Sequence, residues 1–244
     1  MTDPARQAVP GEPQAAEQLQ AYLASALTGL AAEAREQIFE ISDVVAASCR
    51  EHGIDLYEPR EITDPVHHPD VPDTEVFRLD RQRVVRSDLL VYLADQPSTG
   101  AGQELVFATE AMLPVIVVAR SGLKVSRMVT GMLGSVRMVR YQEPDGLGKD
   151  LNSALAELRP ALVRRRSVLR EYQAPSLGLR IREFRESRRM SYEDLVRAVR
   201  IPGFLSADQI QRWEQGGDLD NNVSILVLRE LAAALGVGAA DLLR

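Results

Sequence analysis

The stretch Leu89-Leu90-Val91-Tyr92-Leu93-Ala94, followed by Pro97-Ser98-Thr99-Gly100-Ala101-Gly102-Gln103-Glu104, decides how this chain is read. An unbroken apolar run with β-branched and aromatic members reads as a strand buried on both faces. Gln103 to Met112 reads as a helix, with the glycine-rich segment as the turn between them. A strand that passes through such a turn into a helix aims backbone amides outward at the helix start, where an anion is favoured. The glycines allow a ligand to approach the chain closely. Glu104, at the helix start, sets a carboxylate beside that ligand.

The same alternation repeats on either side. Strands are predicted at Leu19–Ala26, Ile54–Tyr57, Pro114–Ala119 and Val136–Tyr141. Helices are predicted at Ala31–Glu51, Thr74–Arg86 (capped by Asp73 or Thr74), Val125–Leu133 and Asp150–Arg165. Strands that alternate with helices imply an α/β domain with a five-stranded parallel sheet, doubly wound in the flavodoxin or Rossmann manner. Ligands of such sheets bind beyond the carboxyl ends of the strands. The loops after Ala24, Tyr57 and Ala94 are therefore the candidate site. The proline-rich loop from Pro59 to Asp73 carries His67 and His68, but no cysteine or second histidine cluster accompanies them. No metal site and no cofactor is expected.

Length and composition bound the rest. A chain of 244 residues suggests two domains. With 45% hydrophobic and 26% charged residues it has the make-up of a soluble globular protein. No apolar run approaches the roughly 18 residues of a membrane span, and no membrane partner is expected. Residues 1–18 lack the basic start and apolar core of a signal peptide and read as a flexible leader. The single cysteine, Cys49, excludes an intrachain disulfide, and a cytoplasmic location is expected. Residues 1–158 hold 14 basic and 24 acidic side chains, whereas residues 159–172 hold 5 and 1, and residues 173–244 hold 10 of each. The first domain is thus acidic, and a basic junction, 161–176, precedes a neutral C-terminal domain. Phosphate contact is one expectation for Arg164-Arg165-Arg166 in that junction; a solvated helix end is the other.

From Leu177 onward the pattern is helical. Leu177–Arg189 directs Ile181, Phe184 and Arg185 toward a core. Ser191, with acids in the next turn, reads as a helix cap, as does Ser206. Val223–Leu235 is amphipathic, and Ala239–Leu243 closes the domain. Trp213 reads as core, and Glu214 as an intradomain partner.

Over residues 19–160 the chain resembles the nucleoside 2-deoxyribosyltransferase superfamily, most nearly its 2'-deoxynucleoside 5'-phosphate N-hydrolases. The residues that carry the likeness are Tyr22 on the first strand, Asp80 on the helix before the third, Pro97-Ser98-Thr99-Gly100-Ala101-Gly102-Gln103-Glu104-Leu105, and Ser121-Gly122-Leu123-Lys124-Val125-Ser126. The resemblance implies that Glu104 attacks or stabilises the sugar carbon as the base departs, because either task suits a carboxylate beside an oxocarbenium-like centre. It implies that Asp80 binds or protonates the base and that Tyr22 orients the carboxylate or sugar. It further implies that Ser98, Gly100 and Gly102 hold a 5'-phosphate, and that Ser126 does so from a neighbouring subunit of a homodimer. The family's first loop is glycine-rich and carries an arginine; in Ala24–Gly29 only Gly29 matches.

Residues 177–244 resemble the lambda-repressor/Cro-like (XRE) helix-turn-helix family. The likeness rests on Leu177-Gly178, Arg180-Ile181-Arg182, Ser191 to Leu195, Ile210 to Gly216, and Leu231-Ala232 with Leu235-Gly236-Val237. It implies a recognition helix over Ser206–Arg212, with Ser206, Ala207, Asp208, Gln209, Gln211 and Arg212 facing operator DNA, and Tyr192 at the position of a backbone-contacting glutamine. Gln211 and Gln209 suit adenine edges. The turn Arg200–Leu205 is longer than the family's. Taken together, the two resemblances imply a dimeric transcriptional regulator that senses a nucleotide or related metabolite. The alternative is an N-glycosidase acting on deoxynucleoside monophosphates, with a DNA-binding arm.

Overall fold

The computed structural model describes residues 18–171, 177–201, 203, 205–216 and 223–243. The leader, apart from Gln18, and the junction segment 172–176 lie outside the described residues, as do Pro202 and Phe204 of the long turn.

The first domain is a five-stranded parallel sheet in the order β2-β1-β3-β4-β5. The strands are β1 (Leu19–Ala24), β2 (Ile54–Tyr57), β3 (Leu89–Leu93), β4 (Val115–Arg120) and β5 (Val136–Tyr141). This is the flavodoxin-like order, in which the chain reverses its direction of winding between β1 and β3. Helices α1 (Ala32–Glu51) and α5 (Pro144–Glu171) cover one face, and α2 (Asp73–Arg86) and α3 (Thr99–Glu110) cover the other. Alternation along β1 sends Ala21 and Leu23 into the α1/α5 layer, and Tyr22 and Ala24 into the α2/α3 layer. Leu89 to Leu93 are all buried, as expected of a central parallel strand.

Four element assignments differ from the sequence expectation. First, α3 begins at Thr99, four residues early, so Gly100 and Gly102 lie inside its first turn and Glu104 lies in its second. The Ser98 hydroxyl caps this helix by accepting from the Ala101 amide, at 3.2 Å, which offsets the low helix propensity of the glycines. Second, α2 starts at Asp73 after Pro72, with no side-chain cap; Asp73 and Glu75 instead sit in the first turn, where the helix dipole favours acids. Third, the helix after β4, α4, is only Arg127–Thr130, capped by Ser126.

Fourth, α5 runs 28 residues, through Pro160 and past Arg166. Three of its arginines bond to the domain itself, whereas Arg164 is exposed. Arg159 donates to the His52 carbonyl at 2.8 Å. Arg165 donates to the carbonyls of Ser87 (3.0 Å), Ala111 (2.8 Å) and Met112 (3.1 Å), and Arg166 pairs with buried Asp88. Arg165 thus bonds the domain's own helix ends, which carry partial negative charge, and Arg166 bonds a buried carboxylate.

Beyond the junction, α6 (Leu177–Ser187), α7 (Tyr192–Ala198), α8 (Ala207–Glu214), α9 (Ile225–Ala234) and a closing 3-10 turn (Ala239–Leu242) enclose a separate core. Ile181, Leu195, Ile210, Leu231 and Leu235 are its fully buried members, and Trp213 packs with them. Ser191 and Asp194 form a capping box at α7, while Ser206 and Ser224 cap α8 and α9. Among the described residues no helix is long and apolar enough to cross a membrane.

Candidate functional site

The site is built at the carboxyl ends of β1, β2 and β3, on the α2/α3 side. Tyr22 is fully buried and donates its hydroxyl to Glu104 Oε1 at 2.9 Å. Because Glu104 lies in the second turn of α3, its side chain points back toward the sheet rather than into solvent at the helix start. Its second oxygen, Oε2, is out of contact with solvent and has no hydrogen-bond partner among the described residues. An orphaned buried carboxylate oxygen costs free energy unless something supplies a proton or a donor.

Asp80 faces the same space from α2. Thr63, in the loop after β2, donates toward Asp80 at 3.4–3.5 Å. Tyr57, at the end of β2, stacks on Tyr22 with ring centroids 5.5 Å apart, and the Arg83 guanidinium covers its other side at 4.9 Å. Two acids around one tyrosine hydroxyl in a low-dielectric pocket disfavour ionisation. Burial pushes the Glu104 carboxyl up to about 8, against the lowering effect of the Tyr22 bond, and Asp80 adds to the rise. Burial likewise raises Asp80 to about 6, with the Thr63 and Tyr22 bonds opposing. Burial, then the charges of Glu104 and Asp80, lift the Tyr22 phenol well above its usual range. Burial and the nearness of the two acids thus hold protons in this pocket above the ordinary carboxyl range. Such a pair can accept a hydrogen bond from a ligand hydroxyl or amine at one position and give or take a proton at the other.

The other sequence candidates fall in different places. Gly100 and Gly102 border open space: a Cβ on Gly100 meets only the Ser98 hydroxyl, at 3.8 Å, and one on Gly102 meets nothing within 4 Å. Their packing therefore demands no glycine. Gly29, at φ +73°, is an exposed turn residue after β1. Ser126 is exposed and bonds to the Met128 amide at the start of α4, not to either carboxylate. The loop after β2 is held by Asp64, which is fully buried and bonded by Arg35 and by His67 Nδ1 at 2.5 Å. Arg35 also donates to the Leu27 carbonyl at 3.1 Å, so one guanidinium ties the first loop to the second.

Sequence reasoning missed Tyr57, Thr63 and Arg35. A tyrosine ending a strand and a threonine in a loop carry no motif of their own. The place of Tyr57 at the end of β2, before the proline-rich loop, was the one available signal, since strand ends border the site in a parallel sheet.

In the C-terminal domain, Ser206, Asp208, Gln211 and Arg212 are exposed on or beside α8, with Ala207 and Gln209 half-buried. Ser206 spends its oxygen on the Gln209 amide at 3.1 Å. Tyr192 does not join this face as a free side chain; it is half-buried and stacks under Arg185, 4.3 Å from its ring centre. Arg185 in turn holds buried Glu214 through two bonds of 2.7 and 2.6 Å, which ties α6 to the end of α8.

A family model described as a helix-turn-helix domain matches residues 176–244. The C-terminal region is a helix-turn-helix domain. The first domain is similar to the CMP N-glycosidase of Clostridium botulinum at 16% identity over 56% of this chain and 99% of that one, with a TM-score of 0.43. It is also similar to the 2-deoxyribosyltransferase of Bacillus psychrosaccharolyticus at 21% identity over 53% of this chain and 90% of that one, with a TM-score of 0.40. A conserved protein of Enterococcus faecalis is 18% identical over 57% of this chain and 99% of that one, with a TM-score of 0.40. No curated protein matches the chain.

Proposed function

We propose that this protein is a cytoplasmic, dimeric transcriptional regulator. Its helix-turn-helix domain binds an operator, and its α/β domain senses a nucleotide or related metabolite in the Glu104/Asp80 pocket. The observation that carries this reading is the buried, unpartnered Glu104 Oε2 beside Tyr22, on the same chain as a DNA-reading domain. The unpartnered Glu104 oxygen calls for a hydrogen-bond partner on the ligand, and a sugar hydroxyl, which both donates and accepts, suits it in either protonation state. The start of α3, with its dipole, favours an anionic group on that same ligand. Dimerisation fixes the spacing of two readers, and ligand occupancy biases operator affinity to the extent that it favours one spacing.

The second reading is an N-glycosidase that releases the base from (deoxy)nucleoside 5'-monophosphates. The observation in its favour is the pairing of Glu104 and Asp80 around one tyrosine hydroxyl, with their titrations set apart by burial. Incubation of the pure protein with a panel of ribo- and deoxynucleotides, followed by chromatography, separates the two. Binding without base release supports the sensor. Base release that disappears in Glu104→Gln supports the enzyme.

A further inference from the structure

The two carboxylates of the pocket stand on different helices, yet each stands at the same distance from a shared anchor. Asp80 precedes the α2 cap residue Ser87 by seven residues, and Glu104 precedes the α3 cap residue Ala111 by seven. At 1.5 Å per residue, that is about 10 Å of straight helix in each case. Both caps end on one side chain: Arg165 donates to the Ser87 carbonyl at 3.0 Å and to the Ala111 carbonyl at 2.8 Å, and its Nε reaches Met112 at 3.1 Å. Its guanidinium is only 13% exposed, with Asp88 at 3.9 Å. Planar, five-donor geometry allows one arginine to bridge several helix-end carbonyls at once; a lysine ammonium has no such fork. Arg165 stands near the end of α5, and the helix-turn-helix domain opens with α6 at Leu177, shortly after α5 ends at Glu171.

We propose that Arg165 is the joint through which occupancy of the carboxylate pocket reaches the last turns of α5, the element that leads toward the helix-turn-helix domain. The proposal rests on the ligand-binding reading above. A ligand that bonds Glu104 and Asp80 draws α2 and α3 toward each other. Helices move as rods over two turns, so the displacement arrives at Ser87 and Ala111, where one guanidinium holds both. The last turns of α5 then follow. Arg166 pairs with buried Asp88, which is bonded to the Gln20 amide at the start of β1.

Hydrogen exchange read by mass spectrometry tests this on the full chain, with an equimolar mixture of the four 2'-deoxynucleoside 5'-monophosphates as probe. In the parent protein the probe is expected to slow exchange at residues 99–104 and to change it by about fivefold or more at residues 163–171, the lower end of ordinary coupling between sites. Arg165→Lys is expected to keep the response at 99–104 and lose the one at 163–171, while Arg166→Lys keeps both. A response at 163–171 that survives Arg165→Lys, or its absence in the parent when 99–104 responds, overturns the coupling and leaves the sensor reading standing. No response at 99–104 in any variant rejects the nucleotide reading itself, and the role of Arg165 with it. Thermal melts of the variants separate lost coupling from lost folding, since a merely structural arginine lowers the melting temperature without removing a ligand response.

Discussion

Glu104→Gln should make the protein more stable, and only above the ordinary carboxyl range. In the unfolded chain Glu104 releases its proton near its usual value of 4.5, whereas in the folded chain burial delays this to about 8. Between these values the folded state binds more protons than the unfolded state, so stability falls as pH rises and levels off above pH 8. Each pH unit of that window costs about 1.4 kcal/mol. The full gap is about 5 kcal/mol, reduced to about 2–5 kcal/mol where solvent screens a half-buried group. Glutamine keeps the oxygen that accepts from Tyr22 and has no proton to lose, so it escapes the penalty. At about 2–4 °C per kcal/mol for a domain of this size, the variant should melt about 5–15 °C above the parent at pH 9. At pH 4 the difference should be small. Melting curves by circular dichroism at intervals from pH 4 to 9 give the comparison. A variant that melts at or below the parent at pH 9 would refute the claim that Glu104 is a carboxylic acid held neutral by burial.

Further expectations concern single contacts. Tyr22→Phe removes the donor to Glu104 Oε1; NMR of 13C-labelled glutamate should show that carboxyl titrating higher still, with a loss of stability of about 1–2 kcal/mol. A Cβ on Gly178 would lie 1.9 Å from the Trp213 carbonyl oxygen, a backbone atom that cannot swing aside. Gly178→Ala should therefore destabilise the helix-turn-helix domain by about 1–3 kcal/mol, reduce DNA binding and leave nucleotide binding to the first domain intact, as read by calorimetry. Glu214→Gln strands the buried Arg185 charge and should cost about 3–5 kcal/mol in denaturant melts. Gln211→Ala, on the exposed side of α8, should relax base preference at one operator position by about 1–3 kcal/mol in a selection from random DNA.

The sheet was legible because its strands are short apolar runs bounded by breakers, and burial on both faces leaves little else for Leu89 to Leu93 to be. Helix ends were less legible. Thr99 to Gly102 carries two glycines and reads as a turn; the helix forms there because Ser98 caps it and because Ala101, Leu105 and Ala108 are buried beneath. Gly146, Gly148 and Pro160 likewise hide the true extent of α5, which tertiary packing of Leu147, Leu151, Leu155 and Leu162 overrides. Glu104, Asp80 and Tyr22 were grouped through the family resemblance, but that Glu104 points inward from the second turn was not legible, since a one-turn change in helix start reverses its surroundings. Arg165 and Arg166 looked like a basic surface run because charge sequence says nothing about direction; only the fold shows that helix-end carbonyls await Arg165 and a buried carboxylate awaits Arg166.

The central claim is that the first domain senses a nucleotide on behalf of the second. Its most direct test is operator affinity by fluorescence anisotropy, on DNA selected from a random pool, with and without the deoxynucleotide that binds most tightly by calorimetry. The account predicts a change of about fivefold or more in the parent protein, and none in a Tyr22→Phe/Glu104→Gln variant that still binds the operator. An operator affinity that stays the same while calorimetry shows the pocket filled would contradict it.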